Sequence, residues 1–289
     1  MHHRKMNAIV VTVIAGALLL TACTYVFYYA RWRHLWALLP QRPAYAVSTP
    51  TDDTLRVAII GDSWAGMRTL YKADDALSLE LSQLTGRNVA VASCGKGGEK
   101  THGIYSLMFL DGEYGTRPLL QQGANYCVVF AGINDATACL GTRQYTHYYR
   151  QILHLLLQNN IRPVVVEIPN VDIWHLYGHK PLYDRLSDFV KSTMTRTAMY
   201  SYQPYREALK AMLSEQALAG RVVFVGMDSW NPESPAITNA LFLNDRIHLN
   251  ATGYQRLDAS IARAIADDLK QPVDATLADE PVSSHARQR

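Results

Sequence analysis

The chain has 289 residues, 48% of them hydrophobic and 18% charged, enough for one large globular domain or two small ones around a sizeable core. Its formal charge of +3 comes from the N-terminus: Arg4, Lys5, Arg31, Arg33 and Arg42 precede Asp52 without an acid among them, and the other 23 bases oppose 25 acids, leaving the rest near −2. No basic face remains to attract nucleic acid, so nucleic acid is not an expected partner.

In chain order, the first feature is an uncharged run from Ala8 to Ala30 behind a basic start at residues 2–5. About 20 apolar residues cross a bilayer core, so residues 8–30 are long enough to span one. Residues 1–30 read as a signal anchor or as a lipoprotein signal. Leu20-Thr21-Ala22-Cys23 is similar to a bacterial lipobox, but the apolar run continues through Tyr25-Val26-Phe27-Tyr28-Tyr29, which favours the anchor. Basic residues flank the run on both sides, so the positive-inside count does not orient it. Residues 31–54, with Pro40, Pro43 and Pro50, read as a linker.

Apolar strand-like runs then alternate with helical patterns. Strands are expected at Leu55–Ile60, Asn88–Ala92, Tyr126–Ala131, Arg162–Ile168 and Arg221–Val225. Helices are expected at Ala65–Leu84, Thr142–Gln158, Tyr183–Met199, Gln203–Ala219 and Ala251–Leu269. Continuous apolar strands between helices predict a mostly parallel five-stranded sheet covered on both faces, a three-layer α/β/α sandwich over residues 55–270. The polar segment 271–289 is expected to be disordered.

Four short pieces carry chemistry. Gly61-Asp62-Ser63 follows the first strand, where a turn into a helix exposes a serine hydroxyl; an N-cap serine looks the same. Gly98 lies in the loop Cys94-Gly95-Lys96-Gly97-Gly98-Glu99-Lys100-Thr101 and offers an unobstructed backbone N–H. Asn134, in Gly132-Ile133-Asn134-Asp135 after the third strand, offers a side-chain amide. Asp245-Arg246-Ile247-His248 pairs a carboxylate with an imidazole three residues on, which suits an oriented base or a local hydrogen bond. Three of these pieces lie just after strands, where α/β sheets build their sites.

In order and spacing, the four pieces resemble the SGNH (GDSL) hydrolase superfamily over roughly Leu55 to Leu269. The resemblance implies a flavodoxin-like fold and a serine esterase. It makes Ser63 the nucleophile, His248 the base and Asp245 its orienter, with Ser63, Gly98 and Asn134 as oxyanion donors. Trp64 stands where the family usually has leucine, which points to a reshaped pocket wall. In the glycine loop, Gly95 and Gly97 are alternatives to Gly98. No cofactor or metal is implied.

Other features rank below these. His175 and His179 have zinc-ligand spacing, but Gly178 and Pro181 break the helix and no third ligand is evident. The Tyr145, His147, Tyr148, Tyr149 cluster suits helix packing better than sugar stacking. Cys94 and Cys139 fall in loops on one rim, so a disulfide between them is open. Residues 171–186 are the best lid candidate and are mixed rather than oily. The expected function is a membrane-tethered esterase in a bacterial cell envelope, its domain in the periplasm or outside the cell. It would cleave short acyl esters, O-acetyl first, on acylated carbohydrate, with lipid the other substrate class. Alternatives are a polysaccharide O-acetyltransferase with the same acyl-enzyme, a lipase or thioesterase, and a non-catalytic glycan-binding domain.

Overall fold

The computed structural model of the chain describes residues 2–49, 51–169, 173–230 and 239–271. The expected disordered tail, beyond Gln271, and residues 171–172 of the lid candidate lie outside them.

Five strands, β1 (Leu55–Gly61), β2 (Val89–Gly95), β3 (Tyr126–Phe130), β4 (Arg162–Val166) and β5 (Val223–Val225), form one sheet in the order β2-β1-β3-β4-β5. Every pairing is parallel. β3 is buried along its whole length and β1 at every residue but Arg56, as strands covered on both faces should be. The edge strand β2 alternates half-buried and exposed residues at its start.

The helices are α1 (His2–Trp32), α2 (Ser63–Gly66), α3 (Ala73–Thr85), α4 (Thr101–Leu107), α5 (Arg117–Gln121) and α6 (Ile133–Thr137). They continue with α7 (Thr142–Gln158), α8 (Ile173–Tyr177), α9 (Leu182–Thr195), α10 (Gln203–Leu213) and α11 (Ala251–Lys270). α3 packs on α11, and α7 packs on α4 and α10, making the two helical layers around the sheet. α7 is set by its pattern: Tyr145, Tyr148, Tyr149, Ile152, Leu155 and Leu156 recur at helical spacing and are all buried. Tyr145 meets Tyr149 and Tyr205 edge-on at 5.5 Å, so the tyrosine cluster is core packing.

The single helix expected over 65–84 is three pieces. α2 ends at Gly66, a 3-10 turn covers Arg68–Tyr71, and Lys72 takes the left-handed conformation (φ 49°) before α3 begins. The break turns Arg68 inward. Its guanidinium is fully buried and pairs with both oxygens of Asp258 on α11 (2.8 and 3.1 Å) and with Asp74 on α3 (2.6 Å). Asp74 in turn accepts the Ser93 hydroxyl of β2 at 2.6 Å.

Residues 37–49, read as linker, lie along the domain. The Leu39 carbonyl accepts from His147 and Gln151 at 2.8 Å, the Arg42 N–H donates to the Tyr105 hydroxyl at 2.6 Å, and the Ser48 N–H to the Gln121 carbonyl at 2.9 Å. Ile9–Trp32 of α1 is long and apolar enough to cross a membrane, with a mean hydropathy of 2.3. Its side chains Val11, Leu18, Leu19 and Leu20 are exposed.

Candidate active site

β1 ends at Gly61 and the chain turns at once into α2. Asp62 caps that helix: its Oδ1 accepts the Trp64 N–H at 3.0 Å. The cap leaves Ser63 at the first turn, its hydroxyl 2.9 Å from His248 Nε2. His248 Nδ1 lies 2.6 Å from Asp245 Oδ2. A carboxylate only accepts, so Nδ1 carries the ring proton and Nε2 is left to accept from the serine. Asp245 Oδ1 accepts the N–H groups of Ile247 and His248, each at 2.9 Å. Burial pushes the Asp245 carboxyl up, but the bonds from the imidazole and the two N–H groups together hold it below the usual carboxylate range. Asp245 therefore stays ionised opposite the ring.

The loop that carries this pair is pinned from several sides. Arg246 adopts the left-handed conformation, the Leu243 N–H donates to the His248 carbonyl at 2.7 Å, and Asn250 caps α11 through the Gly253 N–H at 2.9 Å. Trp64 supplies a further clamp. Its ring is buried between Phe130 and Phe242, and its Nε1–H donates to the Ile247 carbonyl at 3.0 Å. The residue next to Ser63 thus holds the loop next to His248, a contact between positions far apart in sequence.

Asn134 begins α6 just beyond β3. Its Nδ2 donates to the Glu99 carbonyl at 2.9 Å and reaches Asp62 Oδ2 at 3.3 Å. This ties the third piece to the glycine loop and to the cap of α2. Of the three candidate glycines, Gly95 is required by packing: a Cβ there would lie 2.5 Å from the Asp62 carbonyl and the Gly66 nitrogen. Gly98 has φ 73° with open space around it, precedes Glu99 directly, and its N–H has no protein acceptor among the described residues. Gly97 shares the open space and the unbonded N–H, and Gly98 differs from it in its left-handed φ and in preceding Glu99, whose carbonyl accepts from Asn134. Lys96 pairs with Glu99 at 3.0 Å and Lys100 Nζ donates to the Gly98 carbonyl at 2.9 Å, so both lysines are engaged within the loop.

Asp135, whose role the sequence left undivided, is buried and accepts both the N–H (3.0 Å) and the hydroxyl (2.9 Å) of Thr101 at the start of α4. It braces the glycine loop from below. Burial pushes Asp62 and Asp135 each up to about 7, and the charge of Asp135 adds to the shift at Asp62. Sequence reasoning missed Asp62 as a bridge and Trp64 as a clamp. The dipeptide Gly-Asp signalled the cap, but nothing local signals the indole contact.

Cys94 and Cys139 are free rather than joined; Cys139 is buried, and Cys94 faces the Gly115 carbonyl. The His175 side chain lies outside the described residues, and no group of potential metal ligands occurs among the described ones. A small cavity of about 20 Å³, which Ser63 itself does not line, is bounded by its chain neighbours Asp62 and Trp64 and by Phe130, Ile133, Glu167 and Ile168, among others. It has room for about one water-sized group.

Comparisons with known proteins bear on the family and the fold. The GDSL-like lipase/acylhydrolase family profile matches residues 59–256. A lipase/acylhydrolase from Enterococcus faecalis is 15% identical, covers 74% of this chain and 96% of its own, and superposes with a TM-score of 0.52. The psychrotrophic esterase EstA from Pseudoalteromonas sp., in a structure inhibited by monoethylphosphonate, is 16% identical over 76% of this chain and 100% of its own, at 0.50. A variant of Axe2, an acetyl-xylooligosaccharide esterase from Geobacillus Stearmophilus, is 16% identical over 76% and 95%, also at 0.50. At these identities the structures speak to fold alone. No curated protein matches the chain. The profile covers well over half of the sequence and includes all four pieces of the site, so the chain belongs to the GDSL-like lipase/acylhydrolase family and is a carboxylic ester hydrolase.

Proposed function

We propose that the protein is a membrane-tethered serine esterase that removes short acyl groups, O-acetyl first, from carbohydrate, with its domain on the outer side of a bacterial cytoplasmic membrane. The hydrogen-bonded chain Ser63–His248–Asp245 is the observation that carries the chemistry. The Ser63 hydroxyl oxygen attacks the ester carbonyl as His248 Nε2 takes its proton. The N–H groups of Ser63 and Gly98 and the amide of Asn134 receive the oxyanion, the last by exchanging its long bond to Asp62 for the new charge. Collapse breaks the bond to the sugar oxygen, which leaves as the alcohol by taking the proton from His248. Water then repeats the sequence on the acyl-enzyme, and the carboxylic acid leaves.

One feature supports the finer reading. The apolar helix Ile9–Trp32 supports a tether. The test is acetate release from acetylated glycan and from p-nitrophenyl acetate by the full chain in detergent. Ser63→Ala is expected to lower kcat by about four orders of magnitude or more. Transfer to an added sugar in place of acetate release would make the enzyme an acyltransferase. No turnover by the folded parent on either substrate, with or without acceptor, contradicts the proposal.

A further inference from the structure

α9 is built inside out. Ser187, Asp188, Lys191 and Ser192 face the protein and are buried with a single apolar neighbour, Val190, whereas Leu182 (72% exposed), Tyr183 (57%), Leu186 (43%) and Phe189 (59%) face away. A helix on a water-exposed surface normally shows the opposite arrangement. Leu182, Leu186 and Phe189 follow one another at spacings of four and three, so they form a single outward stripe. The inward polar groups are paired. Asp188 accepts from Lys180 at 2.7 Å, from Lys191 at 2.5 Å and from the Tyr200 hydroxyl at 2.7 Å.

The stripe adjoins the helix that carries the apolar span. α1 ends on α9: the Trp32 Nε1–H donates to Ser187 Oγ at 3.0 Å, and the rings of Tyr28 and Tyr183 lie 5.8 Å apart. Phe27 and Tyr29, one turn back along α1, are exposed like the α9 stripe, so the apolar surface runs on from one helix to the other. At this junction sit the aromatic residues Tyr28, Tyr29, Trp32 and Tyr183 and the exposed cations Arg31, Arg33 and Arg185, against the exposed acid Asp184. The Arg31 guanidinium lies over the Trp32 ring at 5.4 Å. Tyrosine, tryptophan and arginine at the end of an apolar helix are the side chains of a hydrocarbon–headgroup boundary.

We propose that the outer face of α9 rests in the surface of the bilayer that α1 enters, so that an in-plane apolar face as well as a span holds the catalytic domain. The proposal rests on the membrane reading of α1. It gives the exposed stripe the apolar surroundings its residues require and leaves the boundary aromatics and cations at headgroup level. The consequence for catalysis is one of position. Thr137 and Ala138, at the end of α6, line a cleft of about 320 Å³ together with Arg31, Trp32, Lys180 and Tyr183. Asn134 lies on the same helix about 5 Å from Thr137 along its axis, given a rise of about 1.5 Å per residue. The catalytic rim is thus a neighbour of the membrane junction, and the substrate it meets is one presented at the bilayer surface.

The test is site-specific photocrosslinking of the full chain in vesicles of equal parts phosphatidylethanolamine and phosphatidylglycerol. p-Benzoylphenylalanine replaces Phe189, Leu186, Ile14 in the span, or Leu79, an exposed leucine on α3. Each variant is first matched to the parent by its thermal unfolding midpoint; Leu182 replaces an α9 position that fails this check, Leu18 replaces Ile14 and Leu84 replaces Leu79. Phospholipid adducts, read by mass spectrometry, are expected at Ile14, Leu186 and Phe189 in similar yield, and at background level at Leu79. Adducts at Ile14 with none on α9 overturn the proposal and leave the span standing. Absence of adducts at all positions overturns both. Crosslinks from α9 to a second copy of the chain, in place of lipid, assign the stripe to self-association and overturn it as well.

Discussion

At the scale of single residues, the site depends on a few polar atoms with fixed partners. Asp245 holds His248 by one oxygen and its own loop by the other, so Asp245→Asn keeps the loop bonds and presents an amide N–H to Nδ1. The imidazole must then offer its lone pair to the amide, which leaves Nε2 protonated and unable to accept from Ser63. Steady-state kinetics on p-nitrophenyl acetate are expected to give a kcat lower by about 10²–10⁴, with KM little changed. A wild-type kcat would remove Asp245 from the mechanism. Asp135 has an opposite character: burial lifts its carboxyl to about 7, above its unfolded value. Between about pH 4 and about pH 7 the folded state therefore binds more protons than the unfolded one, and this group's contribution to stability falls as pH rises. Asp135→Asn lacks that dependence. Relative to the parent, the variant is expected to gain about 1–3 kcal/mol across that window in urea titrations, with Asp62 sharing the rest of the shift. An unchanged difference at the two ends of the window would contradict the assignment.

Among the elements, the buried ion cluster under Arg68 joins the 3-10 turn, α3, β2 and α11, and so fixes the helical layer behind β1. Arg68→Ala leaves Asp258 buried without its cation. Urea unfolding is expected to register a loss of about 3–5 kcal/mol, and Arg68→Ala with Asp258→Ala a smaller one. Additive losses would mean the pair is not coupled. This cluster also marks where the sequence stops being legible. The strands were readable because β3 is an apolar run throughout and β1 and β4 are apolar beyond Arg56 and Arg162, and Ser63, Asn134, Asp245 and His248 were readable as polar residues at strand ends or in a tight Asp-x-x-His turn. Lys72 carries no local signal for its left-handed conformation, so the break before α3 was not. Residues 37–49 dock through backbone atoms such as the Leu39 carbonyl, which have no side-chain code. α9 has a clear apolar stripe, but a stripe does not say which way it faces; only the pairing of Asp188 with Lys180 and Lys191 decides that. Trp64 needed its partner at Ile247, set by tertiary packing alone.

For the whole molecule, the sheet order places the ends of β1, β2 and β3 side by side, which is why four pieces scattered from Gly61 to His248 meet on one rim. In the proposed membrane arrangement, the apolar helix α1, the docked segment 37–49 and α9 bear on where that rim works rather than on what it does. The proposed chemistry stands on Ser63 as the nucleophile of an acyl-enzyme. Mass spectrometry of the full chain after exposure to a serine-reactive alkylphosphonate tests this. One covalent phosphonyl group is expected, on Ser63, with loss of esterase activity in step with labelling and no label in Ser63→Ala. A label on another residue, or an active enzyme that takes no label, would contradict it.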